Sequence, residues 1–252
     1  MSKPSRIHPV LGYIIALGII VLGWELTSLV LQSPAVPSPL TTFEVLSQEL
    51  ETLAPHFVIS SYRVVASILI GTALAFPIAL LLSRNEKSDA IFAPFLFLSY
   101  PIPKVVLLPV FLVLMGLGDA PKITLISVTV FFQVLMAMRD AVKQIPESYI
   151  TSAKSFGAGS WDVYKHVIIP AVMPDLFATL RIASGTGVAL LFIAESIAGT
   201  TGLGYLIMNA WSLVDYPQMF AAIVAMALLG VIVYEIIACL ERKICAWTKA
   251  GN

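Results

Sequence analysis

The sequence predicts an all-α membrane protein, and two features of its composition lead to this prediction. Of its 252 residues, 58% are hydrophobic and only 12% are charged, whereas soluble domains are roughly half apolar and a quarter charged. The apolar residues are also clustered into runs of about 18 or more, the length of a helix that crosses a bilayer. The formal net charge is +0, which gives no reason to expect a nucleic-acid partner.

Six apolar runs are candidate transmembrane helices. They cover residues 10–31, 58–82, 90–115, 123–138, 176–198 and 219–240. The first run could be a secretory signal, but its 22 residues exceed the roughly 7–15 apolar residues of a signal peptide. We therefore expect a retained first span and one membrane domain over residues 1–252, with both termini on the same side.

Lys and Arg residues indicate the orientation of these spans. The side shared by the two termini carries Lys3, Arg6, Arg84, Lys87, Arg139, Lys143, Lys154, Lys165, Arg242, Lys243 and Lys249. The opposite side carries only Arg63 and Lys122. Because cytoplasmic loops are enriched in Lys and Arg, both termini are predicted to be cytoplasmic, in a bacterial-type inner membrane. The outer segments are then residues 32–57, 116–122 and 199–218, and we expect the "GTTGLGYL" of the last to be a flexible loop.

The first outer segment has the pattern of a short amphipathic helix. Its apolar residues recur at helical spacing and its acidic residues lie on the other side. The apolar set is Phe43, Leu46, Leu50 and Leu53, and the acidic set is Glu44, Glu49 and Glu51. Such a helix either lies on the outer membrane surface or packs over the bundle.

A polar insert, about residues 144–173, separates the fourth and fifth spans. Lys154, Asp162 and Lys165 exclude a seventh span, because each charge costs about 2.5–3.5 kcal/mol at the bilayer centre. The positions of proline and glycine in the insert instead predict two short helices. Pro146 suits the first turn of a helix that runs to Phe156.

Gly157 suits the left-handed position that follows that first helix. Ser160 is then expected to cap the second helix, which Pro170 should end, and Pro174 should delay the next span. Apolar residues line one face of each helix: Tyr149, Ala153 and Phe156 on the first, and Trp161, Tyr164 and Ile168 on the second. This stripe should pack either on the ends of the chain's own spans or on a partner.

The insert also matches a known motif. Gly157 is followed thirteen positions later by Pro170, in "VIIP", and this resembles the EAA motif in the permease subunits of binding-protein-dependent ABC importers. Eight other short motifs follow that family's order along nearly the whole chain: "WEL" (24–26), "PSP" (37–39), "PIPK" (101–104), "LLP" (107–109), "GLG" (116–118), "LRIA" (180–183), "AE" (194–195) and "GLGYLI" (202–207). The resemblance is greatest to the branch that imports nitrate, sulfonates, taurine, bicarbonate and thiamine-pyrimidine precursors.

By this resemblance the insert is a coupling helix pair that docks on a cytoplasmic ATPase subunit. The expected coupling residues are Ala153, Gly157, Trp161, Tyr164 and Pro170, with Gly157 as the hinge. ATP and Mg would be bound by the partner ATPase and no cofactor by this chain. The resemblance further implies a second permease copy and an extracytoplasmic substrate-binding protein, beside the membrane lipid.

The sequence departs from the family pattern at three positions. Thr151 stands where the motif has Glu, and Glu147, one turn earlier, could replace that carboxylate. Ser67 and Thr179 stand where glycine is usual.

Ionisable residues inside spans are candidates for function. Lys104, Arg181 and Glu195 are the residues we predict along a translocation path, although Arg181 could reach lipid headgroups and Glu195 lies near a span end. Arg181 and Glu195 are separated by about 21 Å of helix and cannot pair with each other. Lys104 follows the proline-rich "YPIP", which predicts a broken third span lining a cavity.

No motif for independent catalysis is present. The sequence lacks GxxxxGK[ST] and HExxH, and His8, His56 and His166 are scattered and expected at the surface. We therefore expect a transport subunit rather than an enzyme. The alternatives are a stand-alone secondary transporter or channel, which would need an inverted repeat or a coupling-ion site, and a membrane scaffold.

Overall fold

A computed structural model of the chain describes residues 9–83 and 86–249. The regular structure in these ranges is helical. The helices are α1 (Pro9–Leu31), α2 (Pro39–Gln48), α3 (Leu50–Ser83), α4 (Glu86–Ser99), α5 (Leu108–Met115), α6 (Asp119–Lys143), α7 (Glu147–Ser155), α8 (Ser160–Val163), α9 (Ile169–Ala198), α10 (Leu203–Ser212) and α11 (Tyr216–Ile244). Short 3-10 turns cover Lys104–Leu107 and Ala246–Lys249, and a π-helical turn covers Tyr164–Ile168.

Five helical stretches in the described residues are long and apolar enough to cross a membrane. They are Leu11–Leu31, Leu50–Ser83, Asp119–Lys143, Ser160–Ala198 and Tyr216–Ile244. The helix pair Asp89–Ser99 and Lys104–Met115, bent by 82° at its break, is either a broken sixth span or a re-entrant loop. The predicted all-α membrane fold is confirmed, with five or six candidate spans in the described residues and a sharp break where the third was predicted to be interrupted.

The bundle is built around α3 and α6, with α9 and α11 packed against them. Gly71 of α3 lets α3 and α6 pack closely against each other, because a Cβ at this position would lie 2.7 Å from the backbone oxygen of Ser127 in α6. The first span α1 lies outside this core with its side chains largely exposed. Its main anchor is Trp24, whose ring stacks on Phe220 of α11 with centroids 5.6 Å apart.

The outer amphipathic segment packs over the bundle. Ser38 caps α2 by accepting a hydrogen bond from the Thr41 N–H. The helix ends at Gln48, with Glu49 as its C-cap, so Leu50 and Leu53 belong to α3 instead. Val45 and Leu46, with the fully buried Thr42, face the core. A helix is present as predicted, but the predicted apolar face is only partly the one that packs: Leu46 is half-buried and Leu53 is buried, whereas Phe43 and Leu50 are exposed. The last predicted turn is the start of the next helix.

The loop predicted at "GTTGLGYL" is present only in its first half, residues 199–202. Residues from Leu203 onward form α10, a ten-residue helix whose residues Leu203, Leu206, Ile207 and Ala210 are buried. Glycine signals suggested a loop, but burial of this apolar face stabilises a helix there.

Candidate functional site

The insert begins with α7 and ends in a glycine turn. Pro146 is the residue just before α7 rather than in its first turn. Gly157 has φ +86°, and two backbone bonds close the helix end: Gly157 N–H to Lys154 at 2.9 Å and Ala158 N–H to Ala153 at 3.1 Å. This is the Schellman arrangement, which favours glycine because the left-handed conformation is strained for other residues.

The second helix of the insert differs from the prediction at both ends. Its N-cap is Gly159, whose N–H donates to the Asp162 carboxylate at 3.0 Å, so Ser160 is the first helical residue and not the cap. Pro170 does not end the helix, and Pro174 lies inside α9. The π turn connects α8 to α9 through the Ile169 N–H bond to Tyr164.

The reason for this continuity is that a π turn shifts the hydrogen-bond register just before Pro170. The missing N–H of the proline then falls in the first turn of α9, where a donor is dispensable. As a result α8, the π turn and α9 form one apolar helical stretch, Ser160–Ala198. A movement of the insert would therefore be passed directly to the fifth span.

The apolar residues of the insert divide between two environments. Tyr164 and Ala153 pack against the core, Ile168 is fully buried, and the Tyr164 hydroxyl donates to the Leu80 carbonyl at 3.5 Å. Phe156 and Trp161, in contrast, are 93% and 70% exposed, and Tyr149 is exposed as well. We call Tyr149, Phe156 and Trp161 the aromatic surface of the insert; nothing in the described chain covers it.

Lys104 lies at the break in the third span. Its ammonium donates to the carbonyls of Ser99, Tyr100 and Ile102 at 2.6, 3.0 and 2.8 Å, and lies 4.7 Å from the centroid of the Phe132 ring. Helix ends leave carbonyls without partners, so this cation stabilises the end of α4 at the proline-rich break.

Glu195 is fully buried at the end of the bundle opposite the insert. Its carboxylate accepts from Arg63 at 2.6 Å, from Ser60 at 2.8 Å and from the Gly204 N–H at 2.8 Å. Arg63, 1% exposed, also donates to Asp119 at 2.6 Å. This far-end network links α3, α6, α9 and the start of α10.

The same network holds the first turn of α10. The N–H groups of Gly202, Leu203 and Gly204 bond to His56, Ser60 and Glu195, respectively, at 2.8–2.9 Å. His56 is thus half-buried in this contact rather than at the surface, while His166 is exposed as expected and His8 lies outside the described residues.

Arg181 pairs with Glu241, which joins α9 to α11. Sequence spacing correctly separated Arg181 from Glu195 but could not identify the partner of either residue. The chain also contains a buried cluster that sequence reasoning missed, in which Asp89 bonds to Arg139 at 2.6 Å and to Lys143. Its members lie 50 and 54 residues apart, a separation that no local pattern reveals.

The structure thus places the predicted pathway residues at three separate points of the bundle, each with bonds inside the chain. The coupling residues, in contrast, lie together on the insert. Their roles in transport remain predictions. A bundle of up to six spans with one broken span and an exposed amphipathic helix pair is nevertheless an arrangement typical of membrane transport proteins.

Comparison with known proteins identifies the family. Residues 67–245 match the family described as "Binding-protein-dependent transport system inner membrane component", and the chain belongs to it. The chain is therefore a permease of a binding-protein-dependent ABC importer. The predicted likeness to the nitrate, sulfonate and taurine branch is confirmed by the relatives that it matches.

Two of these relatives come from Escherichia coli. The taurine transport system permease protein TauC is 28% identical over 78% of this chain and 71% of its own length. The putative aliphatic sulfonates transport permease protein SsuC is 28% identical over 92% and 89%. A putative ABC transporter permease of Methanocaldococcus jannaschii is 28% identical over 91% and 89%.

The fold is also similar to a solved structure. The MetNI methionine ABC transporter, in an inward-facing conformation, contains a chain that superimposes with a TM-score of 0.67. The match covers 78% of this chain and 98% of that chain at 17% identity, so the similarity is one of fold.

Proposed function

We propose that this permease couples ATP hydrolysis by a separate cytoplasmic ATPase to import. Two copies would enclose one substrate path, since six spans are few for a complete pathway, and two ATPase subunits would bind below them. ATP and Mg would be held by those subunits. An extracytoplasmic binding protein would deliver the substrate from the far end, and both termini would lie in the cytoplasm.

The aromatic surface of the insert is the observation that carries this proposal. Phe156 at 93% exposure and Trp161 at 70% are large apolar side chains on a polar segment outside the spans. Exposed apolar patches with a polar rim mark protein interfaces, and aromatic residues dominate their binding energy. Lys154 and Lys165, both exposed, are charged residues of the same segment.

The chain's own geometry gives the means of coupling. The glycine turn at Gly157 allows α7 and α8 to change their angle, while the unbroken stretch from Ser160 to Ala198 behaves as a lever. Closing of the ATPase dimer would tilt this lever, and the substrate path would then open alternately to the two sides of the membrane.

For the substrate we propose a small organic sulfonate or a related small anion, such as taurine, nitrate or bicarbonate. The named substrates of TauC and SsuC support the sulfonate class. A thiamine-pyrimidine precursor is the remaining candidate among the substrates imported by the branch that the sequence resembles.

Capture of partners from the native membrane tests the proposal. The tagged chain is purified in mild detergent, with Phe156→Asp and Gly157→Pro as variants, and co-purifying proteins are identified by mass spectrometry. The matched control is Leu213→Asp, because Leu213 is 68% exposed but lies beyond α10 at the far end.

We expect an ATP-binding subunit in near-equal amount with the unmodified chain and the control, and its loss in both insert variants. An ATPase retained by Phe156→Asp and Gly157→Pro would refute docking at the insert. Absence of any ATPase from all samples would refute the ATP-driven importer and favour a stand-alone transporter.

A further inference from the structure

An apolar cavity lies where the insert meets the second span. Its volume is about 560 Å³, within the roughly 300–1,000 Å³ of ligand sites in proteins. The last turns of α3 form one wall, and α8, the π turn and the start of α9 form the other. The lining residues that matter here are Phe76, Leu80, Leu81, Trp161, Tyr164 and Ile169. We refer to it as the α3–α8 cavity.

The walls of this cavity favour a hydrocarbon occupant. The one phenol among these residues, Tyr164, donates its hydroxyl hydrogen bond to the Leu80 carbonyl at 3.5 Å, so it is already engaged by the backbone of α3. Leu80 is 6% exposed and Leu81 is 67% exposed, so the cavity extends from the core to the surface. Apolar cavities do not hold ordered water and accept apolar ligands instead.

The cavity lies at the depth of the membrane hydrocarbon, on the side of the insert. Residues 64–83 are an uncharged run of 20 residues between Arg63 and Arg84, and a helix of that length spans about 30 Å, the thickness of a bilayer core. Because Arg63 belongs to the far-end network, the run ends beside the insert. Phe76 and Leu81 lie within about 3–11 Å of that end. The open side of the cavity therefore faces lipid, not water.

The insert supplies polar and charged groups at the same level. Tyr164 and Trp161 are the residue types that gather at membrane–water interfaces. Lys165 follows Tyr164 and is exposed, and no described residue pairs with its ammonium. The nearby carboxylate of Asp162 accepts from the Gly159 N–H at 3.0 Å, which engages its charge in the turn before α8. An anionic group at this boundary would thus meet an unpaired cation.

The cavity also divides the aromatic surface of the insert. Trp161 lines it, whereas Tyr149 lies on α7 and Phe156 follows that helix. A water-soluble subunit could contact Tyr149 and Phe156 from the cytoplasm, but it would have to enter the hydrocarbon to fill a cavity that reaches Phe76. The depth of the cavity therefore favours lipid over a soluble partner.

We propose that the α3–α8 cavity binds one acyl chain of a phospholipid from the leaflet next to the insert, and that Lys165 contacts its phosphate. An anionic headgroup such as phosphatidylglycerol is then preferred over a zwitterionic one. The acyl chain fills the space between the second span and the stretch Ser160–Ala198, so bound lipid supports the position of the insert. The proposal requires that the chain spans a membrane, but not that an ATPase binds to it.

Quenching of tryptophan fluorescence by brominated lipids tests the proposal, because bromine quenches an indole that it contacts. Of the four tryptophans, Trp161 alone is kept by making Trp24→Phe, Trp211→Phe and Trp247→Phe. The purified chain is placed in nanodiscs of dioleoyl phosphatidylcholine that contain increasing fractions of brominated phosphatidylcholine or brominated phosphatidylglycerol. The control is Leu74→Trp with Trp161→Phe, because Leu74 is exposed on the same helix and does not line the cavity.

We expect both brominated lipids to quench Trp161, with a binding constant about fivefold higher for phosphatidylglycerol, the effect of one lysine close to an anionic lipid. Lys165→Gln should bring this ratio close to one, whereas Lys154→Gln, at an exposed lysine of α7, should leave it unchanged. The control at Leu74→Trp should show a ratio near one. Ile169→Phe, which reduces the volume of the cavity, should lower the quenching of Trp161 by both lipids.

Four results would overturn the proposal: unquenched Trp161, equal binding constants for the two lipids, a preference that survives Lys165→Gln, or quenching that a filled cavity leaves unchanged. Ser160→Phe, at an exposed lining position, replaces Ile169→Phe if that variant does not purify as a single species. Quenching in nanodiscs with one chain that is lost in nanodiscs with two would assign the cavity to a second copy and would also contradict the proposal.

Capture of the ATPase is measured on the same protein, which keeps Phe156. A chain that captures an ATPase but shows no preference for phosphatidylglycerol contradicts only the lipid site. A chain with the preference but without an ATPase supports the lipid site and contradicts only the proposed coupling.

Discussion

The buried charge pair at the far end gives the sharpest test of the fold. Glu195→Gln removes the charge from a carboxylate that is 0% exposed and bonded to Arg63, Ser60 and Gly204. Its amide group cannot satisfy all three donors, and Arg63 would keep a buried charge with one partner fewer. Breaking one side of a buried pair costs about 3–5 kcal/mol.

The matched control is Asp119→Asn, which removes the other acidic partner of Arg63. The Asp119 side chain is 41% exposed, so water replaces much of its interaction and the expected cost is about 0–1 kcal/mol. At roughly 2–4 °C per kcal/mol for a chain of this size, Glu195→Gln should lower the melting temperature by about 6–20 °C and Asp119→Asn by less than about 4 °C.

The assay is thermal unfolding of the purified variants in one detergent. Its readout is the fraction of protein that stays monodisperse after heating to each temperature. The double variant Arg63→Met with Glu195→Gln should be less destabilised than the sum of the two single variants, because neither charge is then left alone. Equal melting shifts for Glu195→Gln and Asp119→Asn would refute the assignment of the buried pair as a structural link.

Two other predictions concern the turns and the break. Gly157→Ala should lower the free energy of unfolding by about 1–2 kcal/mol through its positive φ alone, because no atom lies within 4 Å of the added Cβ. Gly202→Ala should lower it distinctly more, since its Cβ would lie 2.2 Å from the Glu195 carboxylate. The melting assay described above compares the two variants. Lys104→Met leaves three carbonyls at the break without their donor and should destabilise the chain by at least about 1–3 kcal/mol. Lys104→Arg keeps a donor there and should retain most of the stability. Equal losses of stability in these two variants would contradict the capping role.

The spans and the insert could be predicted because a bilayer requires apolar residues in the segments that cross it and excludes charged ones. A helix must supply about 20 apolar residues to cross it, so spans can be read from the sequence, and charges exclude the insert from the membrane. Local chemistry was equally informative at Gly157, where the predicted left-handed turn is present at φ +86°. Pro101 and Pro103 likewise indicated the break in the third apolar run.

Local signals failed where neighbouring turns or distant partners decide the outcome. Pro170 indicates a helix end, yet a π turn absorbs it and the helix continues. The glycines of "GTTGLG" indicate a loop, yet side chains from α3 and α9 hold the first turn of α10 as a helix. In both places packing against the bundle outweighs the preference of the individual residue.

The sequence alone therefore determined the class of protein, its apolar helical stretches and the polar insert, since all three depend on which residues tolerate lipid and which require water. Only the tertiary structure decided what the intramembrane charges do. Arg63 lies 132 residues from Glu195 and Arg181 lies 60 from Glu241, and an ion pair forms only when the folded bundle brings such groups within a few ångströms.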